Sequence, residues 1–308
     1  MNVQSGMSAI LSLQVMIFAL IAVGFLVRRI GIVGPEGQKN LTDLVLYLFL
    51  PCNIVTAFLT GADREKVVSY ASIFVISIVS LVISHFYGVI FFGRQPEGRR
   101  KCLQYATLVC NAGFIGNPIV EGLYGMEGLA MASVYLTPFR IAMWSAGISI
   151  FAGTGDRKAT IRRVVTHPCI IACTIGVVLM LTGFTVPAVI AAPIRTLGQC
   201  NTACSMMVVG MILTRVDPHS FKDPGVYWFT LHRLVLIPGL FWLLCRFLPI
   251  EPLVFKLSVL LTAMPAGATT SMLASKYERD PAFAAKMVAF STVLSLPAIC
   301  LWSWVVRL

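Results

Sequence analysis

Two stretches carry groups that a lipid-facing helix has no use for. The first, "NAGFIGNP", holds Asn111, Gly113, Gly116, Asn117 and Pro118. The second, "MPAGATT", holds Pro265, Ala266, Gly267, Thr269 and Thr270. Neither contains a nucleophile paired with a base, nor a set of metal ligands. What they offer is neutral hydrogen bonding: amides, hydroxyls, and backbone N–H groups freed where a helix is interrupted. Proline removes a backbone donor and clashes with the preceding turn. Glycine costs roughly 1 kcal/mol in a helix interior. The positive end of an interrupted helix, with neutral donors around it, suits a carboxylate or another small anion.

The elements that hold these stretches are membrane spans. The chain has 308 residues, 57% of them hydrophobic and only 12% charged, with mean hydropathy +0.85. A soluble domain is nearer one quarter charged. Ten apolar segments of spanning length are expected: 8–28, 40–60, 69–92, 102–124, 128–152, 168–184, 189–213, 226–248, 252–275 and 282–305. "NAGFIGNP" lies in the fourth and "MPAGATT" in the ninth. Non-helical backbone at membrane depth survives only where protein or a water-filled cavity covers it, so both breaks should face the interior.

Charge sets the orientation. Of the 24 Lys and Arg, 16 lie in loops after odd-numbered spans and 6 on the opposite side; Arg140 and Arg233 fall inside spans five and eight. The basic side faces the cytoplasm, which puts both termini outside and the sequon Asn40-Leu41-Thr42 inside. The net charge of +11 is explained this way, and no basic run interleaved with aromatics points to nucleic acid. The basic stretch 154–167 separates residues 1–153 from 168–308, five spans each. An odd number of spans per half places the halves in opposite orientations, the inverted repeat of many secondary transporters. The expected fold class is therefore an all-α polytopic membrane protein of ten transmembrane helices. Its two inverted five-helix repeats would cross at the broken helices four and nine.

The other polar groups are sparse. Ionisable residues within spans are functional candidates by default. Arg233 and Arg140 are read as anion attractors, with a structural clamp as the other role for Arg233; His85 is read as snorkelling. Asp43, Glu121 and Glu127 lie near span ends, so no carboxylate is expected at a span centre. An excess of cations over carboxylates suits an anionic substrate and weakens proton coupling through a crossover carboxylate. A sodium coupling ion needs no carboxylate, because backbone carbonyls and Asn or Thr oxygens can bind it. The nine cysteines read as buried free thiols, including Cys200 and Cys204 one turn apart. "GTGD", 153–156, matches an intramembrane protease signature but sits at a span end without a second aspartate inside a span, so an enzyme is not expected.

"NAGFIGNPIVEGLYGMEGLAMASVY" and "AMPAGATTSMLASKYERDPAFAAKMVAFSTVLSLP", with "HRLVLIP" in span eight, resemble the auxin efflux carrier family, which includes plant auxin exporters and bacterial malate permeases. The resemblance runs over the whole chain. It implies a fold like that of bile-acid symporters and sodium/proton antiporters. Spans 1, 2, 6 and 7 would form a scaffold that also makes a homodimer; spans 3–5 and 8–10 would form a mobile core. The implied activity is elevator-type movement of small organic anions, carboxylates such as malate or auxin-like acids, with a sodium-coupled symporter of the bile-acid type as the alternative. By position, Asn111, Gly116, Asn117, Pro118, Pro265, Ala266 and Gly267 carry over as crossover residues, and the scaffold groups Asn53, Gln199 and Asn201 face the same cavity. The long cytoplasmic loop of the plant members is absent. Short loops point to the lipid bilayer of a bacterial inner membrane. A channel or a transport-dead sensor is the competing class, and saturable counterflow separates a carrier from either.

Overall fold

A computed structural model describes residues 3–59, 64–152, 157–214 and 222–306. The expected "GTGD" stretch at 153–156 lies outside the described residues. In chain order the helices are α1 (Val3–Arg29), α2 (Pro35–Leu44), α3 (Leu50–Phe58), α4 (Arg64–Phe92) and α5 (Glu97–Leu108). They continue as α6 (Asn117–Trp144), α7 (Ala146–Ala152), α8 (Arg157–Val165), α9 (Pro168–Thr182) and α10 (Ala188–Leu213). The last five are α11 (Pro224–Leu231), α12 (Ile237–Arg246), α13 (Pro252–Thr262), α14 (Thr269–Lys276) and α15 (Pro281–Val305). Among the described residues six helical stretches are long and apolar enough to cross a membrane. The basic segment after span five, expected as a loop, contains α8.

Three prolines explain three local irregularities. A π-helical turn ends two residues before Pro51 (Val45–Phe49), before Pro118 (Ala112–Gly116) and before Pro238 (His232–Leu236). A proline cannot donate to the carbonyl one turn back, and the helix widens to absorb the mismatch. At Pro238 that carbonyl belongs to Leu234, and the Trp302 indole donates to it at 2.7 Å. Where spans four and five were expected to be separated by a loop, α6 is broken only at Gly125, whose φ of 65° and ψ of −158° lie in a region that glycine reaches readily.

The chain forms two compact units. The first comprises Met1–Tyr70, Phe114–Val134 and Thr166–Arg215. Its packing depends on close helix approach. A Cβ added to Gly24 would lie 2.1 Å from the Met207 carbonyl oxygen, and one on Gly210 would lie 2.0 Å from that of Ile21, so α1 and α10 meet backbone to backbone. Small residues at the contact are the usual means of bringing membrane helices together.

The second unit comprises Ala71–Gly113, Tyr135–Val165 and Val216–Leu308. Its core includes Phe92, Tyr105, Phe229 and Phe283. At one end, Arg99 binds Asp223 through two nitrogens, at 2.8 and 3.3 Å, and Asp280 at 3.3 Å. Both aspartates cap helices: Asp223 accepts from the Gly225 N–H and Asp280 from the Phe283 N–H. One guanidinium thus ties the starts of α11 and α15 to α5. Beside it, the Lys101 ammonium, bonded to Glu97, holds that carboxyl below its usual range, with Arg279 adding to the effect.

Candidate functional site

The break in span nine lies in the second unit, together with the residues that lead into the break in span four. Helix α5 stops at Leu108 and Val109 turns extended, at φ −115° and ψ 111°. Helix α13 stops at Thr262. The two freed backbones then pair with each other: Cys110 and Ala266 form an antiparallel bridge. The Asn111 N–H donates to the Pro265 carbonyl at 2.8 Å, and the Gly267 N–H to that of Val109 at 3.1 Å. This satisfies groups that lipid would leave unpaired. Gly267 favours the approach, since a Cβ there would lie 3.2 Å from the Val109 oxygen, a tight contact.

Arg233 completes this junction. It is 2% exposed. Its Nε donates to the Met264 carbonyl at 2.9 Å and Nη1 to that of Thr107 at 3.2 Å. These carbonyls lie where α13 and α5 end, the negative ends of interrupted helices. Of the two roles expected for Arg233, this geometry is that of the clamp; two of the donors an anion would need are already engaged. Around the junction, Tyr105 donates to the Thr269 hydroxyl at 3.0 Å, and Ser291 accepts from the Ala266 N–H at 3.3 Å. Thr270 is fully buried and its hydroxyl has no partner. It sits in the first turn of α14, and its own N–H donates to the Gly267 carbonyl at 2.9 Å. Arg140 is buried on the second limb of α6.

The first unit holds a separate polar cluster. Asn53 of α3, Asn117 of α6 and Asn201 of α10 are 1%, 0% and 0% exposed. Gly198 brings α10 against the Asn53 backbone, where a Cβ would lie 3.0 Å away, and Asn201 is one turn further along the same face. The Glu121 carboxylate, one turn after Asn117, accepts from Asn53 Nδ2 at 3.0 Å and from the Thr202 hydroxyl at 3.3 Å. Asn201 Oδ1 accepts from Ser205. Four amide atoms have no partner: Asn53 Oδ1, Asn117 Oδ1 and Nδ2, and Asn201 Nδ2. A buried amide atom left unpaired costs on the order of 1–3 kcal/mol, so four in one cluster mark a place that expects a ligand or water.

The structure thus brings Asn53, Asn117 and Asn201 together in one unit. It brings Asn111, Pro265, Ala266, Gly267, Thr269, Thr270 and Arg233 together in the other. Gly116 and Pro118 shape the start of α6 beside Asn117. The sequence reading missed Glu121 and Thr202. By sequence Glu121 is a span-end carboxylate; its spacing of four from Asn117, which puts both on one helical face, is the available signal.

Comparison with known proteins agrees with this architecture. A family profile described as membrane transport protein matches residues 9–303. The chain is 28% identical over 296 residues to an uncharacterized transporter of Methanothermobacter thermautotrophicus, covering 93% of this chain and 95% of that protein. It is 24% identical over 302 residues to an uncharacterized transporter of Methanocaldococcus jannaschii, covering 94% and 96%. It is 23% identical over 310 residues to a protein of Rhizobium meliloti named as a candidate malonate transporter, covering 95% and 94%. With nearly its whole length matched, the chain belongs to the membrane transport protein family, that of the auxin efflux carriers, and is an integral membrane transporter.

Proposed function

We propose that this transporter is a secondary carrier of small organic anions, carboxylates such as malate, malonate or auxin-like acids. The observation that carries the reading is the group of buried amides, Asn53, Asn117 and Asn201, with unpaired atoms within apolar spans. The unpaired donors among them, Asn117 Nδ2 and Asn201 Nδ2, are what a carboxylate would occupy, at no cost of burying a second permanent cation. The buried, unpaired Thr270 hydroxyl at the start of α14 offers a donor of the same kind in the second unit. The name of the Rhizobium meliloti relative points to a dicarboxylate.

Alternating access by an elevator-type motion follows from the family resemblance and from the way the units are composed. The helices expected for a scaffold, α1 to α3, α9 and α10, fall in the first unit. Of those expected for a mobile core, α5, α7, α11 to α15 and α4 from Ala71 onward fall in the second, whereas α6 is divided, with residues 117–134 in the first unit. Two inverted five-helix repeats, both termini outside, a bacterial inner membrane and a homodimer through the scaffold helices complete the proposal, with a sodium-coupled symporter as the alternative.

Counterflow in proteoliposomes tests it. Vesicles loaded with unlabelled malate, malonate or indole-3-acetate are expected to accumulate the labelled acid saturably, and Asn117→Ala abolishes the exchange. Repeating the assay without sodium decides the coupling. Flux that neither saturates nor shows counterflow would identify a channel, and no exchange with any carboxylate would refute the reading.

A further inference from the structure

Glu121 is out of character in an anion site. Its carboxylate carries the charge of the proposed substrate, and one oxygen, Oε2, accepts from two donors, Asn53 Nδ2 and Thr202 Oγ1. The other amide donors of the cluster, Asn117 Nδ2 and Asn201 Nδ2, are buried without a partner. A carboxylate accepts about four hydrogen bonds on two oxygens. The first unit therefore supplies four neutral donors, and a carboxylate of the chain itself already sits on two of them.

We infer that Glu121 is a built-in substitute for the substrate: its carboxylate occupies the Asn53 and Thr202 donors when the carrier is empty, and a substrate carboxylate binds by displacing it. The inference rests on the organic-anion reading and deepens it. Two consequences follow from the chemistry. Affinity for a carboxylate is held down, because each binding event must break charge-assisted hydrogen bonds to Glu121 and bring two like charges into one cluster. The empty site is stabilised, because part of its donor set never goes unsatisfied. An empty carrier that can reorient supports net transport; one that cannot is confined to exchange.

Glu121→Gln separates the charge from the shape, since the glutamine carbonyl still reaches Asn53 Nδ2 and the Thr202 hydroxyl. The probes are malonate and malate, titrated onto purified protein by ligand-induced thermal stabilisation, followed by net efflux and counterflow in proteoliposomes. The expected result is a dissociation constant about ten-fold lower than wild type, ten-fold being about 1.4 kcal/mol. The ratio of net efflux to counterflow should fall in Glu121→Ala, which leaves both donors without their partner. An unchanged or weaker dissociation constant in a folded Glu121→Gln protein overturns the inference, as does an unchanged flux ratio in Glu121→Ala. Should Glu121→Gln fail to elute as a folded species, Glu121→Asp carries the same test, because its shorter side chain withdraws the carboxylate from both donors. The two readings fail differently. Carboxylate binding by wild type with no tightening in the variant sinks this inference alone. Folded wild type and variant that both ignore every carboxylate sink the organic-anion reading and this one with it.

Discussion

Replacing Arg233 by Met removes the forked group but retains a long apolar side chain. Arg233 is 2% exposed and donates at 2.9 Å to Met264 and 3.2 Å to Thr107, so the variant strands two buried carbonyls. Each unsatisfied carbonyl costs about 1–3 kcal/mol, or about 2–6 kcal/mol together. Part is returned, because a buried guanidinium no longer has to be desolvated. The expected net loss is about 2–4 kcal/mol, read as a lower unfolding midpoint of the purified protein in detergent. Arg233→Lys distinguishes the clamp from a simple anion attractor. A lysine keeps the charge but presents a compact ammonium in place of a planar fork. The clamp predicts that Lys recovers little stability and little flux. A Met variant within about 1 kcal/mol of wild type, or full recovery of flux by Lys, would refute the argument.

Three further outcomes are expected. Asn117→Ala should express and fold normally yet lose counterflow, because it removes the one amide among the described residues with both polar atoms buried and unpaired; normal flux would count against the site. Pro265→Ala supplies a backbone N–H and favours continuing α13 through the bridge of Cys110 with Ala266. Turnover should slow, and unchanged kinetics would mean that the break is only a bend. Gly210→Ala places a methyl 2.0 Å from the Ile21 carbonyl. It should destabilise the protein by about 1–3 kcal/mol as α1 and α10 are forced apart, while a distant control such as Gly34→Ala, with open space around it, should not.

What the sequence could settle is what depends on neighbours along the chain. Hydropathy made this a membrane protein, and Pro and Gly within apolar runs located the breaks at 111–118 and 265–270, because a missing donor or an absent Cβ acts on its own turn of helix. Asn117 stood out because it lies in the first of these breaks, whereas Asn53 and Asn201 came only with the family resemblance. Side-chain destinations were not legible. Arg233 reads equally well as attractor or clamp until the carbonyls of Thr107 and Met264 are seen to converge on it. Glu121 reads as a span-end acid until Asn53 and Thr202, each far away in the chain, are found to donate to it. Likewise, only the fold reveals that the two interrupted backbones satisfy each other. A buried polar group takes whatever partner the packing of distant helices brings within about 3 Å, and that choice is made by tertiary structure.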